Sequence, residues 1–304
     1  MYVVVYRIGG LNLILSFNRH SAWIKPSVPE SIPFVQSVSA DQGYCNEESC
    51  IKVCIDSLPR FFSSTIGEEI FSQEFVSFYR TEKGYLHLFY SGEDKRKLLW
   101  ELDINAVFSE FNYYVRSDNL LDEEKPSLLD PWKIAASLFF LQYSFIHRQG
   151  LIIHAGGGLI QGKGMIFSAP SGGGKSTLSR LLLQSPKTRL FSEERLIVRS
   201  VDNVWKVWGS PWHGESRIAE NKSAQLSALV FLRQSLETTI TRLSPSEGLH
   251  RLIQTASIPW YSEEWIDKGL AICERLLQDI PVFELAFRPD QSAVQIVERF
   301  SGEL

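Results

Sequence analysis

The sequence predicts an α/β protein in two unequal parts, a smaller β-rich N-terminal domain over residues 1–125 and a mixed-sheet α/β domain over residues 126–304. Three observations carry that prediction. Short alternating or β-branched runs closed by glycine turns fill the first 116 residues. After them, strand-like apolar runs alternate with helical stretches that carry their own caps. Between the two lies the polar stretch Arg116-Ser-Asp-Asn-Leu-Leu-Asp-Glu-Glu-Lys-Pro-Ser, which reads as a linker. At roughly 150 residues per domain, 304 residues also fit two domains.

The elements follow in order. Tyr2-Val-Val-Val-Tyr-Arg and Leu11-Asn-Leu-Ile-Leu-Ser-Phe read as two strands around a glycine turn, with no targeting signal. Phe75-Val-Ser-Phe-Tyr-Arg pairs with Tyr85-Leu-His-Leu-Phe-Tyr across Thr81-Glu-Lys-Gly, a hairpin-sized loop. Asp130 and Pro131 open a helix that Gly150 is placed to end. Its apolar residues run nearly all round, so it should be buried. Leu151-Ile-Ile-His, Gly156-Gly-Gly-Leu-Ile and Met165-Ile-Phe-Ser are short strands, and a helix starts within residues 171–177. Leu196-Ile-Val-Arg, Trp205-Lys-Val-Trp and Ser227-Ala-Leu-Val-Phe-Leu are further strands. Ser244-Pro-Ser-Glu is a capping box with proline in the first helical position, and Asp290 caps the last helix.

Composition narrows the function classes. Hydrophobic residues at 44% and charged residues at 22% are those of an ordinary globular protein. A net charge of −4 argues against nucleic acid or an acidic membrane recruited by bulk electrostatics. The longest apolar run, Ile134 to Ile146, is interrupted by Ser137, Gln142 and Ser144 and is shorter than the roughly 20 residues of a membrane span. The expectation is a soluble cytoplasmic protein with no membrane partner. Cys45, Cys50 and Cys54 cluster without a zinc spacing and Cys273 stands apart, so reduced thiols are expected.

The chemistry concentrates in Ala169-Pro-Ser-Gly-Gly-Gly-Lys-Ser-Thr, which fits the phosphate-binding loop pattern with alanine in place of its first glycine. Backbone N–H groups from Ser171 through Gly172, Gly173, Gly174, Lys175 and Ser176 to Thr177 would converge on phosphate oxygens, and glycines let the backbone come close. Lys175 would meet the β and γ phosphates, and the Ser176 hydroxyl a Mg²⁺ ion. The strand before the loop and the helix after it are the context the pattern requires. Neighbouring motifs then exclude classes. The chain has no Gly-Gly-Gln signature of transporter ATPases, and Asn221-Lys222-Ser223-Ala224 lacks the aspartate with which a GTPase reads its base. Small-metabolite kinases usually open with the loop, whereas here it starts at residue 169.

Taken together, Gly150-Leu-Ile-Ile-His154, the loop, Arg189-Leu-Phe-Ser-Glu193-Glu194, Trp208-Gly-Ser-Pro-Trp-His-Gly-Glu215 and Pro281-Val-Phe-Glu-Leu-Ala-Phe-Arg-Pro-Asp290 resemble the catalytic domain of HPr kinase/phosphorylase and its divergent relatives, including lasso-peptide tail kinases. The resemblance covers about residues 130 to 300 and implies a P-loop domain similar to phosphoenolpyruvate carboxykinase. It implies ATP- and Mg²⁺-dependent transfer of a phosphoryl group to a serine or threonine hydroxyl on a protein or peptide. It also implies roles: His154 beside the transferred phosphate, and one of Glu193 and Glu194 as general base, with the pair helping to hold Mg²⁺. Glu215 is a candidate for a second metal or acceptor contact, and Arg217 for a clamp on phosphate charge. The family normally begins its acidic pair with aspartate. Glutamate moves the carboxylate by one methylene, and an offset near 1 Å can lower a rate by about 100-fold.

That departure keeps a second reading open, a nucleotide-sensing binding protein with little chemistry. Use of pyrophosphate, or phosphorolysis, is a third. The N-terminal domain would be a recognition or oligomerisation module, a homo-oligomer being one outcome.

Overall fold

A computed structural model describes residues 2–17, 33–39, 50–58, 67–91, 97–116 and 135–304. Most of the expected linker, the Asp130 cap, Pro131, Cys45 and the expected boundary at 125 lie outside the described residues. The architecture is mixed α/β, rich in strands, with two large mixed sheets. Contacts divide the chain into Met1–His147 with Pro259–Ile266, and Arg148–Ile258 with Asp267–Leu304.

The first unit holds β1 (Tyr2–Ile8), β2 (Leu11–Phe17), β3 (Val35–Ser39), β4 (Cys50–Leu58), β5 (Glu68–Gln73), β6 (Val76–Thr81), β7 (Gly84–Ser91), β8 (Lys97–Asn105), β9 (Glu110–Arg116) and the helix α1 (Ala135–His147). The strands form one sheet in the order β3-β1-β2-β4-β9-β8-β7-β6-β5. The expected hairpins form, β1 on β2 and β6 on β7, the second with Thr81 opposite Gly84. Alternation along β6 to β9 sends Phe78, His87, Trp100 and Tyr113 into an aromatic core. There Phe78 stacks on Tyr85 and Tyr143 at 5.4 and 5.8 Å, and Phe108 meets Trp265 edge to face at 4.4 Å.

The helix that is apolar all round is buried, Leu141, Tyr143 and Phe145 completely. It ends earlier than expected, at His147, and the left-handed residue after it is Gln149 with φ 57°. Gly150 instead opens the next strand, because the turn was completed before it. Cys50 is disulfide-bonded while Cys273 is a free, buried thiol, so the expectation of reduced thiols fails at Cys50. No helix among the described residues is long and apolar enough to cross a membrane.

The second unit contains β10 (Gly150–Ile153), β11 (Ala155–Ile160), β12 (Lys163–Ser168), α2 (Lys175–Leu182), β13 (Thr188–Ser192), β14 (Leu196–Val201), β15 (Val204–Trp208), β16 (Ser223–Gln234), β17 (Thr239–Arg242), α3 (Pro245–Leu252), most of α4 (Glu263–Asp279), β18 (Val282–Phe287) and α5 (Gln291–Glu303). Its sheet runs β10-β14-β15-β16-β12-β11-β13, with β18 on β16 and β17 on β18. The long β16 organises it. Its first residues pair with β15, the middle lies parallel to β12, and the last part lies parallel to β18. A strand held between parallel neighbours is covered on both faces, which is why Leu226 and residues 228–232 form a nearly continuous apolar run. Leu178 and Leu182 of α2 and Val294, Val297 and Phe300 of α5 share one core cluster with Met165, Phe167, Val230 and Leu285.

The predicted caps at Ser244 and Asp290 are present. The Ser244 side chain accepts from the Glu247 N–H while Glu247 reaches back to the Ser244 N–H, and Asp290 accepts from the Ser292 N–H.

Candidate active site

In an open α/β sheet the ligand crevice lies beyond the carboxyl ends of the parallel strands. Here β12, β16 and β18 run the same way, and their last residues are Ser168, Gln234 and Phe287. Ser168 leads directly into the glycine-rich loop, and the loop leads into α2. Gln234 donates from Nε2 to the Gly172 carbonyl at 2.8 Å, and Phe287 sits beside Gly174. The ends of three parallel strands therefore define one loop.

Within the loop, Gly172 and Gly174 are left-handed, with φ 77° and 100°. Gly174 is the N-cap of α2 and brings no capping side chain, so the first-turn N–H groups of the helix have no side-chain partner. A Cβ on Gly174 would lie 2.9 Å from Phe287 Cζ, whereas one on Gly172 would meet nothing within 4 Å. Uncapped N–H groups, the positive helix end and open space beside Gly172 suit an anion. The Lys175 ammonium folds back on the loop, donating to Ala169 O at 2.7 Å and Pro170 O at 3.3 Å. Burial lowers its pKa, and nearby Glu194 partly opposes this.

His154 follows β10, and its main chain is pinned. Its N–H donates to Thr255 O at 2.8 Å, and its carbonyl accepts from Ser168 Oγ at 3.2 Å. Ser168 Oγ also donates to Thr255 Oγ1 at 2.9 Å, and both residues are buried. His154 Nε2 lies 3.6 Å from Glu194 Oε2, an ion pair when the imidazole is protonated. Glu194 is held below the usual carboxylate range, by His154 first, against its own desolvation, with Arg195 and Lys175 adding to the effect. Lys175, His154, Glu194 and Arg195 thus form one electrostatic cluster beside the loop.

The two glutamates do not share surroundings. Glu193 is 2% exposed, accepts the Ser216 N–H on Oε1, and has no hydrogen-bond partner for Oε2. Glu215 is exposed, and no described hydrogen bond or ion pair joins it to the cluster. Ser176 and Thr177 lie in the first turn of α2, and Ser171 is on the exposed loop. No group of three His, Cys, Asp or Glu among the described residues could by itself hold a metal ion. Hard oxygens are nonetheless at hand in the Ser176 hydroxyl and the Glu194 carboxylate, and these fit Mg²⁺ that keeps waters and phosphate oxygens as its other ligands.

Sequence reasoning missed Arg195, Thr255 and Gln234. Arg195 was legible as the cation following two acids. Thr255 and Gln234 lie 101 and 80 residues beyond His154, and only the sheet brings them to the loop.

Fold and site define a mixed α/β protein in which a parallel strand, a glycine-rich loop and an uncapped helix meet a Lys-Glu-His cluster. Residues 121–286 match the family model described as SynChlorMet cassette protein ScmC, and the chain belongs to that family. No curated protein matches it.

Proposed function

We propose that this protein is an Mg²⁺- and ATP-dependent kinase, with an HPr kinase-like P-loop domain, that phosphorylates a serine or threonine hydroxyl of a protein or peptide. One observation carries the reading: the His154 imidazole lies 3.6 Å from the Glu194 carboxylate, beside an uncapped glycine loop whose Lys175 ammonium acts on the same carboxylate electrostatically. A phosphate-holding group and a proton-accepting group are the two functions phosphoryl transfer requires.

MgATP supplies the γ-phosphoryl group and its metal. The loop N–H groups hold phosphate oxygens, and Lys175 exchanges its carbonyl partners on Ala169 and Pro170 for phosphate oxygens, which offer a charge-assisted bond. The Ser176 hydroxyl would help to hold that metal, which would balance charge on the phosphate oxygens. The acceptor oxygen bonds to the γ-phosphorus as the bond to the ADP oxygen breaks, and the hydroxyl proton passes to Glu194. Glu194 is ionised at neutral pH and only half buried, so an incoming hydroxyl can reach it. His154 and Arg195 steady charge around it.

The family is described as a cassette protein, so products of neighbouring genes are the first acceptors to try. Incubated with MgATP, the wild-type chain should place a phosphate on one of them, read by mass spectrometry. Lys175→Ala should abolish the adduct, and Glu194→Gln should slow it by about 100-fold or more. ATP binding with no adduct on any acceptor would replace the kinase reading with that of a nucleotide-sensing binding protein.

A further inference from the structure

Adjacent in sequence, Glu193 and Glu194 face opposite tasks. A general base has to come within about 2.6–3.2 Å of the hydroxyl it deprotonates. Glu194 is open to such an approach. Glu193 is 2% exposed and covered by the turn at residues 214–217.

That turn needs holding. Arg217 is a left-handed residue with φ 54°, and its N–H donates to Gly214 O at 3.2 Å. A non-glycine residue in this region is disfavoured and persists only where its surroundings impose it. The bond from Ser216 N–H to Glu193 Oε1 fixes the residue just before Arg217. Gly214 packs so closely that a Cβ there would lie 2.8 Å from Glu193 Oε1 and 3.0 Å from Cδ. Two further bonds join the same segments: Ser192 Oγ to Trp212 O at 3.0 Å, and Ser210 Oγ to Arg195 O at 2.6 Å. Ser192 Oγ also accepts the N–H groups of Glu194 and Arg195 at 3.2 and 3.3 Å. The turn that carries Glu194 and Arg195 and the 210–217 segment are therefore one hydrogen-bonded body.

We infer that Glu193 is a positioning residue and not a catalytic one. It acts as a buried acceptor that clamps the 214–217 turn onto the turn carrying Glu194 and so sets where Glu194 stands. The statement about activity rests on the kinase reading; the statement about the clamp does not.

The test compares Glu193→Gln, Glu193→Ala and Glu194→Gln. The amide introduced by Glu193→Gln keeps an oxygen that accepts the Ser216 N–H, so kcat should stay within about threefold of wild type. Loss of a true base lowers it by about 100-fold or more, the result expected for Glu194→Gln. Glu193→Ala should lower kcat by about 10–100-fold through displacement of Glu194, with the KM for ATP unchanged. Equal losses in Glu193→Gln and Glu194→Gln would overturn the inference. Hydrogen exchange gives an arm independent of activity. The Ser216 amide should exchange about 10-fold faster in Glu193→Ala than in wild type and at the wild-type rate in Glu193→Gln. Unchanged exchange in Glu193→Ala would overturn the clamp. Wild-type protein without phosphotransfer would overturn the kinase reading alone, since the exchange result would still decide the clamp.

Discussion

His87 is a fully buried imidazole of the first unit, and replacing it should change how stability depends on pH. Its ring lies 4.9 to 5.6 Å from those of Phe78, Trp100, Phe139 and Tyr261, it is 0% exposed, and neither ring nitrogen has a hydrogen-bond partner. Burial pushes its pKa down from 6.5 to about 3. The folded chain therefore keeps the imidazole neutral where the unfolded chain protonates it. Above pH 6.5 the two states bind the same number of protons and His87 adds no pH dependence. Below pH 6.5 the unfolded state gains the proton first, so stability falls as pH falls towards the folded pKa. At about 1.36 kcal/mol per pH unit the loss is about 2 kcal/mol at pH 5 and about 5 kcal/mol by pH 3. Tyr143 and Tyr261 have raised pKa values and do not titrate in this window. His87→Phe keeps an aromatic ring and removes the titration. Urea unfolding of both proteins at pH 7.5, 6 and 5, followed by tryptophan fluorescence, should show the variant gaining about 2 kcal/mol on wild type between pH 7.5 and 5. A free-energy difference that does not change with pH would refute the burial argument.

Gly174→Ala puts a side chain on a left-handed N-cap and into Phe287, so on the proposed kinase reading ATP affinity measured by calorimetry should drop about 10-fold or more, with circular dichroism unchanged. Thr255→Val removes the hydroxyl that accepts from Ser168 behind His154, while Ser168 keeps the His154 carbonyl as its acceptor. Denaturant unfolding should show a loss of about 1 kcal/mol, that of one net hydrogen bond. Ser244→Ala takes away one half of the capping box and should lower stability by about 1 kcal/mol, with faster amide exchange in the first turn of α3.

Local signals survive folding when the chemistry that produces them is local. The glycine loop, the capping box at Ser244, the cap at Asp290 and the β6–β7 hairpin each depend on a handful of consecutive residues, and all four appear where the sequence predicts them. Gly150 shows the limit of such signals: glycine permits a helix stop, but the helix had already closed with Gln149 taking the left-handed conformation. The Glu193-Glu194 pair shows it more sharply. Sequence placed two carboxylates beside the loop and could not distinguish them, because adjacent side chains at a strand end point to different sides.

By itself, then, the sequence determined a mixed α/β chain and the loop that would hold phosphate, since glycine spacing, alternation and caps are properties of short segments. The tertiary structure decided which carboxylate is open and which is buried, and which distant residues brace the loop. The reason is physical: burial and hydrogen bonding of Glu193 depend on Gly214 and Ser216, and the pinning of His154 on Thr255, partners that only sheet pairing and loop packing bring together.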